Sequence, residues 1–261
     1  MTKENFSIYN GEGTILRRAQ LRMLEILRVV DSLCKKHNIE YFLDGGSLIG
    51  AVRHQGFIPW DDDLDIAIMR DDFFRLREIL KKELPKNLVY QDYTTDKNYP
   101  MLIGKVRDRH SYFKEDFTDN LVEKGIYIDI IPMEKVPSMR WKKKLDYWYG
   151  HCIRGIHNYT TKCDKILSIC VLPFSWSLVW ATRIINFFLS SDQIAHIYGW
   201  GAYNNFSYKD VFPTRRINFE GMSVSIPQNP DKVLHALFGD YMQIPPKDKR
   251  IVHTQKIEIY D

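Results

Sequence analysis

The stretch Tyr41-Phe42-Leu43-Asp44-Gly45-Gly46-Ser47-Leu48, followed after eleven residues by Trp60-Asp61-Asp62-Asp63-Leu64-Asp65-Ile66-Ala67-Ile68, decides how this 261-residue chain is read. Tyr41-Phe42-Leu43 is a short apolar run stopped by Asp44-Gly45-Gly46, which predicts a strand running into a turn. Leu64 to Ile68 alternates and predicts a second strand. Side chains on a strand point to opposite faces in turn, so Asp63 and Asp65 project to one side while Leu64 and Ile66 face the core. Their Cα atoms are then about 6–7 Å apart. Two ionised carboxylates at that spacing repel, and burying them unpaired is costly. A divalent cation relieves both problems. Mg²⁺ suits best, because it binds through one or two carboxylates plus substrate phosphates, with Mn²⁺ the alternative. The glycine turn supplies the complement: Gly45 and Gly46 permit positive φ and close backbone approach. Ser47 opens a helix whose N–H groups favour an anion.

Other readings of the acidic run fit less well. A solvated loop would not carry Leu64, Ile66 and Ile68. An EF-hand loop starting at Asp61 needs Gly at its sixth position and Glu at its twelfth, where Ile66 and Asp72 stand.

Working outward, Leu16, Met23, Leu27, Val30 and Cys34 recur at helical spacing between the charges of Arg17, Arg18, Arg22 and Lys35, predicting an amphipathic helix over 14–36. Leu48 to Arg53 is short and helical in character. Asp71 is the expected N-cap of a helix over 73–84, and further strands are expected over 88–93, 101–106 and 126–131. The fold class is α/β (α+β), a mixed sheet flanked by helices. Residues 1–135 are expected to form an α/β core, and 136–261 a helical and loop-rich part that packs on it. The span 142–191 reads as helical, and prolines punctuate the chain beyond Trp200. Within it, Ile166–Thr182 holds 17 residues without a charge. A buried helix pair hinged at Pro173, an interfacial segment touching a membrane, and a true span are the three readings; Lys162, Lys165 and Arg183 at its flanks suit the second.

Composition narrows the rest. The chain is 44% hydrophobic and 13% aromatic, which excludes disorder, and a formal charge of +4 does not call for nucleic acid. Four cysteines without a CxxC pair fit a reducing compartment, and Met1-Thr2-Lys3-Glu4-Asn5 lacks the pattern of a signal peptide, so the expected location is the cytoplasm. His151-Cys152, His157 and Cys163 miss zinc-site spacings and read as incidental.

The stretch 41–65 closely resembles the LicD family of bacterial phosphocholine transferases, which is related to the fukutin-related proteins and has a nucleotidyltransferase-like core. Gly125-Ile126-Tyr127-Ile128-Asp129-Ile130-Ile131-Pro132, Phe212-Pro213, Phe219-Glu220-Gly221, Gly239-Asp240-Tyr241-Met242 and Pro245-Pro246 also match. The resemblance implies a third metal-pair carboxylate on a neighbouring strand, and Asp129 fits. It implies Mg²⁺-dependent transfer of a phospho-substituent, phosphocholine or similar, from a CDP-linked donor to a hydroxyl of a glycan or lipid-linked glycan. The acceptor would be a teichoic acid or capsule precursor of the bacterial envelope, met at the inner face of the cytoplasmic membrane. The alternative is a nucleotidyltransferase moving NMP from an NTP. On this reading Asp63, Asp65 and Asp129 hold metal and act in catalysis, and Gly46 and Ser47 cradle phosphate. Arg53 and Lys105 are candidate phosphate partners, each with a surface salt bridge as the competing role. His54 and Trp60 are candidate substrate contacts, against structural roles in hydrogen bonding and core packing. His253 is a candidate that reaches the site from the tail.

Overall fold

The computed structural model describes residues 5–115, 118–157, 162–199, 205–250, 254 and 256–260. In chain order the elements are α1 (Ser7–Asn10), α2 (Ile15–Lys36), β1 (Tyr41–Leu43), α3 (Gly45–Ile49), β2 (Asp65–Met69), α4 (Arg70–Glu83), β3 (Leu88–Gln91), β4 (Gly104–Asp108), β5 (Ser111–Phe113) and β6 (Tyr127–Lys135). They continue with α5 (Met139–His157), α6 (Lys162–Leu189), β7 (Gln193–His196), β8 (Asn205–Ser207), α7 (Tyr208–Val211), β9 (Arg215–Phe219), β10 (Met222–Ile226), α8 (Pro230–Phe238) and β11 (Ile257–Ile259).

Among the described residues seven strands form one sheet, in the order β1-β2-β6-β4-β3, with β7 added on β6 and β8 on β7. The β2–β6 pair is parallel and the others antiparallel, so the sheet is mixed, as expected. The two added strands come from beyond residue 136, so the C-terminal half contributes to the central sheet as well as covering it.

The sheet's two faces differ. Ile66, Ile68, Ile128 and Ile130 belong to the large core under α2 and α4. On α2 that core receives Met23, Leu27, Val30 and Cys34, the residues its periodicity places inward, and the Thr14 hydroxyl caps the helix by accepting from Arg17 N at 3.3 Å. Asp65, Ala67, Asp129 and Ile131 point the other way, and Ile131 packs with Tyr99, Ile103 and Leu121.

Two local expectations are corrected. The α4 helix begins at Arg70 directly from β2, with Met69 at the cap position, so Asp71 lies in the first turn beside Asp72. No loop separates strand from helix, and both carboxylates complement the helix dipole instead of capping it. The apolar stretch is no buried, hinged pair: α6 runs unbroken through Pro173, and Ile166, Leu167, Phe174 and Trp176 are exposed.

Candidate active site

The glycine turn and the acidic run meet at the start of β2. Asp44 N donates to Asp65 O at 3.1 Å, and Asp65 N donates to Ser47 Oγ at 2.9 Å, so the turn is fastened to the strand that carries the acid. Gly45 adopts the left-handed φ of +52°. Gly46 is required for a different reason: a Cβ there would stand 2.7 Å from Asp61 Oδ2. Ser47 lies buried within α3, accepting from the strand, with its own hydroxyl proton still available to donate. The chain continues through a π-turn, Gly50–His54, so that α3 and this turn together replace the short helix expected over 48–53.

Parallel register sets Asp65 beside Asp129, and antiparallel register sets Lys105 on the other side of Asp129. Three neighbouring strands thus present acid, acid and base in one row. The Lys105 ammonium is 2.8 Å from Asp129 Oδ1, an ion pair without hydrogen-bond alignment, and 2.8 Å from Glu115 Oε1. It also sits 3.3 Å from the centre of the Tyr127 ring. Arg107, on the same face of β4, binds the other Glu115 oxygen at 2.5 Å and Gly125 O at 2.9 Å. Lys105 is therefore a buried counter-ion whose charge is taken up by acids of the sheet, rather than a surface salt bridge.

The carboxylates crowd one another. Burial and then the charges of Asp63, Asp129, Asp44 and Asp61 push Asp65 well above the usual carboxylate range. Asp61 is raised well above it by burial, by the charge of Asp63 and by a hydrogen bond with it. Burial lifts Asp129 to about 6 despite Lys105. Asp63 precedes β2 rather than lying in it, so strand alternation does not by itself fix the Asp63–Asp65 pair. Asp62 turns away, its Oδ2 accepting from Thr254 N at 2.6 Å.

The cluster's chemistry fits a hard divalent cation. All its candidate donors are carboxylate oxygens, their mutual repulsion is what such a cation would cancel, and among the described residues the buried oxygens Asp44 Oδ1 and Asp129 Oδ1 lack hydrogen-bond partners. Among the described residues no three acidic, histidine or cysteine side chains converge on one point at metal-ligand distance.

Other sequence candidates fall outside this row. Arg53 turns to the C-terminal chain, donating to Tyr241 O at 2.6 Å and, through Nε, to His54 Nε2 at 2.9 Å. Burial and the neighbouring Arg53 hold His54 down at about 4, so the ring is neutral at neutral pH. Its ring packs edge-on against Phe6 and Trp60. Trp60 is buried, in contact with Phe6 and Tyr9, and the Arg250 guanidinium lies 4.7 Å from its ring centre. His253 lies outside the described residues. Cys152 is buried, whereas Cys163 is exposed.

Sequence reading missed four groups. Arg107 carried a signal, since it shares a strand face with Lys105. Asp61 was visible within the acidic run. Glu115 and His196 carried none. His196, on β7, bonds Asp44 Oδ2 at 2.8 Å across 152 positions of sequence. Burial alone would raise Asp44, but the His196 hydrogen bond and charge hold it below the usual value.

Comparison with known proteins finds likeness over the segment that carries these residues. Residues 38–160 match the family described as LicD/FKTN/FKRP, nucleotidyltransferase domain. The chain is 26% identical over 273 aligned positions to the lipopolysaccharide cholinephosphotransferase LicD of Haemophilus influenzae, covering 94% of this chain and 98% of that protein. Shorter likenesses reach an uncharacterized protein of Rickettsia prowazekii, 48% identical over 60 residues and 23% of each chain, and the mouse ribitol 5-phosphate transferase FKRP, 44% identical over 65 residues. The FKRP match takes in 24% of this chain and 13% of that protein. Residues 38–160, the segment that carries the match to the LicD/FKTN/FKRP nucleotidyltransferase domain, contain the paired glycine turn and acidic strand together with Lys105, Glu115 and Asp129, and the likeness to LicD runs along most of the chain.

Proposed function

We propose that this protein transfers a phospho-substituent, phosphocholine or a related group, from a CDP-linked donor to a hydroxyl of an envelope glycan or its lipid-linked precursor. The observation that carries the reading is the meeting of four crowded carboxylates, Asp61, Asp63, Asp65 and Asp129, with the Gly46–Ser47 turn. Such a site neutralises itself best around a metal-bound diphosphate. Asp63 and Asp65, with Asp129, would hold Mg²⁺, and the cation supplies charge neutralisation for the diphosphate and the departing CMP.

Backbone N–H groups at Gly46 and Ser47 and the Ser47 hydroxyl orient the phosphate oxygens. The acceptor oxygen attacks the phosphorus that bears the headgroup, and the bond from that phosphorus to the bridging oxygen breaks, releasing CMP. Where Asp129 does not ligate the cation, it takes the acceptor's proton, a role that needs only hydrogen-bond reach to the hydroxyl. Lys105 keeps the strand row charge-balanced and holds the Asp129 carboxylate in place. The same carboxylates suit the alternative transfer of NMP from an NTP.

The test is incubation with CDP-choline, CDP-ribitol, CDP-glycerol or NTPs in the presence of Mg²⁺ and envelope glycan precursors. CMP release with labelled acceptor is the expected result. Pyrophosphate release from an NTP instead would replace this reading with the nucleotidyltransferase one.

A further inference from the structure

A water-facing helix turns its apolar stripe inward. The α6 helix does the reverse. Its inward stripe, at spacings of seven, four and seven, is Ser168, Ser175, Val179 and Asn186, while Phe174, Ile184, Phe187 and Phe188 face outward, the last two at 78% exposure. The α5 helix repeats the inversion, with the Lys142–Asp146 ion pair buried and Trp141 and Trp148 exposed. Polar groups inside and aromatic groups outside describe a helical hairpin that meets an apolar phase.

Two features say which phase. The exposed residues of α5 include Arg140, Lys143 and Lys144 beside Trp141, Tyr147 and Trp148. Lysine is depleted at protein–protein interfaces, whereas tryptophan and tyrosine mixed with basic residues characterise the boundary of an anionic bilayer. The C-terminal half of α6 is also fastened to the sheet: Arg183 binds both Glu134 oxygens at 2.7 and 3.0 Å, and Val179 packs with Val136, Leu145, Ala195 and Tyr198. A helix tied along its side lies in an interface and does not stand across a membrane.

Beside that fastened half is a cavity of about 470 Å³, lined in part by Arg70, Lys135, Trp180, Arg183, Asn186 and Phe187. Among the described residues Arg70 Nε and Asn186 Oδ1, on two residues that line it, are buried without hydrogen-bond partners, one a donor and one an acceptor, and Asn186 is only 6% exposed. A phosphodiester headgroup bearing hydroxyls satisfies both, with Arg70 donating to phosphate and Asn186 accepting from hydroxyl.

We propose that α5 and α6 dock this protein in the interface of an anionic bilayer, with the Arg70–Asn186 cavity receiving a phosphatidylglycerol-type headgroup. The docking needs neither donor nor acceptor, so it stands or falls separately from the transfer reaction.

The experiment is co-sedimentation of the full chain with vesicles of phosphatidylcholine alone or mixed with phosphatidylglycerol. Binding to the anionic vesicles, release by alkaline carbonate, and a loss of at least tenfold for the double variant Phe187→Ser/Phe188→Ser are the expected results. Arg70→Gln should weaken binding to the anionic vesicles several-fold while unfolding at the wild-type temperature. Free inorganic phosphate at millimolar concentration should not compete. Equal binding to both vesicle types, competition by phosphate, or no effect of Arg70→Gln would overturn the headgroup pocket. Retention after carbonate would mean a span, and a soluble dimer that ignores vesicles would make the face a self-association surface; either overturns the docking.

Discussion

Replacing Asp65 by Asn should make the cation-free protein more stable while removing its function. Asp65 is backed by burial and by repulsion from Asp63, Asp129, Asp44 and Asp61. Two unit charges about 6.5 Å apart at an effective dielectric constant of about 20 repel by about 2.5 kcal/mol. Asp129 adds less, because Lys105 already lies 2.8 Å from it. The amide keeps the shape, loses the charge, and leaves the backbone bond from Asp65 N to Ser47 Oγ intact. After allowance for imperfect amide hydrogen bonding, the net gain is about 1–2 kcal/mol, a rise in Tm of about 2–8 °C for a chain of this size. The wild type should gain about 2.7 kcal/mol from Mg²⁺ at a hundred times its Kd, or about 5–10 °C, and the variant should gain almost none. Thermal unfolding in EDTA and in titrated Mg²⁺, beside transferase assays, measures all of this. A lower Tm for the variant in EDTA, or an undiminished Mg²⁺ shift, would refute the reasoning that crowded charge at Asp65 is held for a cation.

Lys105→Met strands Asp129 in a buried setting and leaves Glu115 with Arg107 as its basic partner, and should cost about 3–5 kcal/mol in urea unfolding; a cost under 1 kcal/mol would show that the ammonium is not the counter-ion of Asp129. Gly46→Ala brings a Cβ to 2.7 Å from Asp61 Oδ2, so transfer should fall more than tenfold with a small change in Tm, and unchanged kcat/KM would show that the turn tolerates the displacement. Glu220 is held below its ordinary value of 4.5: burial opposes this, but the hydrogen bonds and charge of Arg17 prevail. A depressed carboxyl contributes stability that is present above 4.5 and lost as pH falls through the folded-state value. Glu220→Gln should therefore lower Tm at pH 7 and flatten its decline on acidification, and parallel curves for the two proteins would contradict this.

How far the sequence could be read follows from the range of the interactions involved. The α2 face was legible because helical periodicity is local, and β1 and β2 were legible because apolar alternation beside glycine is local too. The β2 strand could be paired with Asp129 only through family resemblance, since nothing near Ile128 or Ile130 states which strand it joins. Lys105 was visible as a basic residue on a strand, but its role depends on Glu115, which arrives from a separate segment. His196 was invisible, because β7 reaches the sheet only after the long α5–α6 excursion. Trp60 and His54 sit next to the acidic run in sequence, yet the chain turns sharply there and directs both rings into the layer with Phe6 and Tyr9. Proximity along the chain misleads most where the backbone bends most.

The weaker C-terminal matches gain a physical meaning from this arrangement. Glu220 accepts two bonds from Arg17, at 3.0 and 2.7 Å, and one from Phe57 N at 3.3 Å. It thereby ties α2 to the loop that leads into the acidic run. Gly56 suits the position beneath it, because a Cβ there would run into the Glu220 carboxylate. Tyr241 O receives Arg53, and Thr254 N donates to Asp62, so two further tethers from the same half of the chain close on the same loop. A loop that joins a glycine turn to a cluster of repelling carboxylates would spring open if left to itself. These tethers oppose that repulsion from outside the cluster.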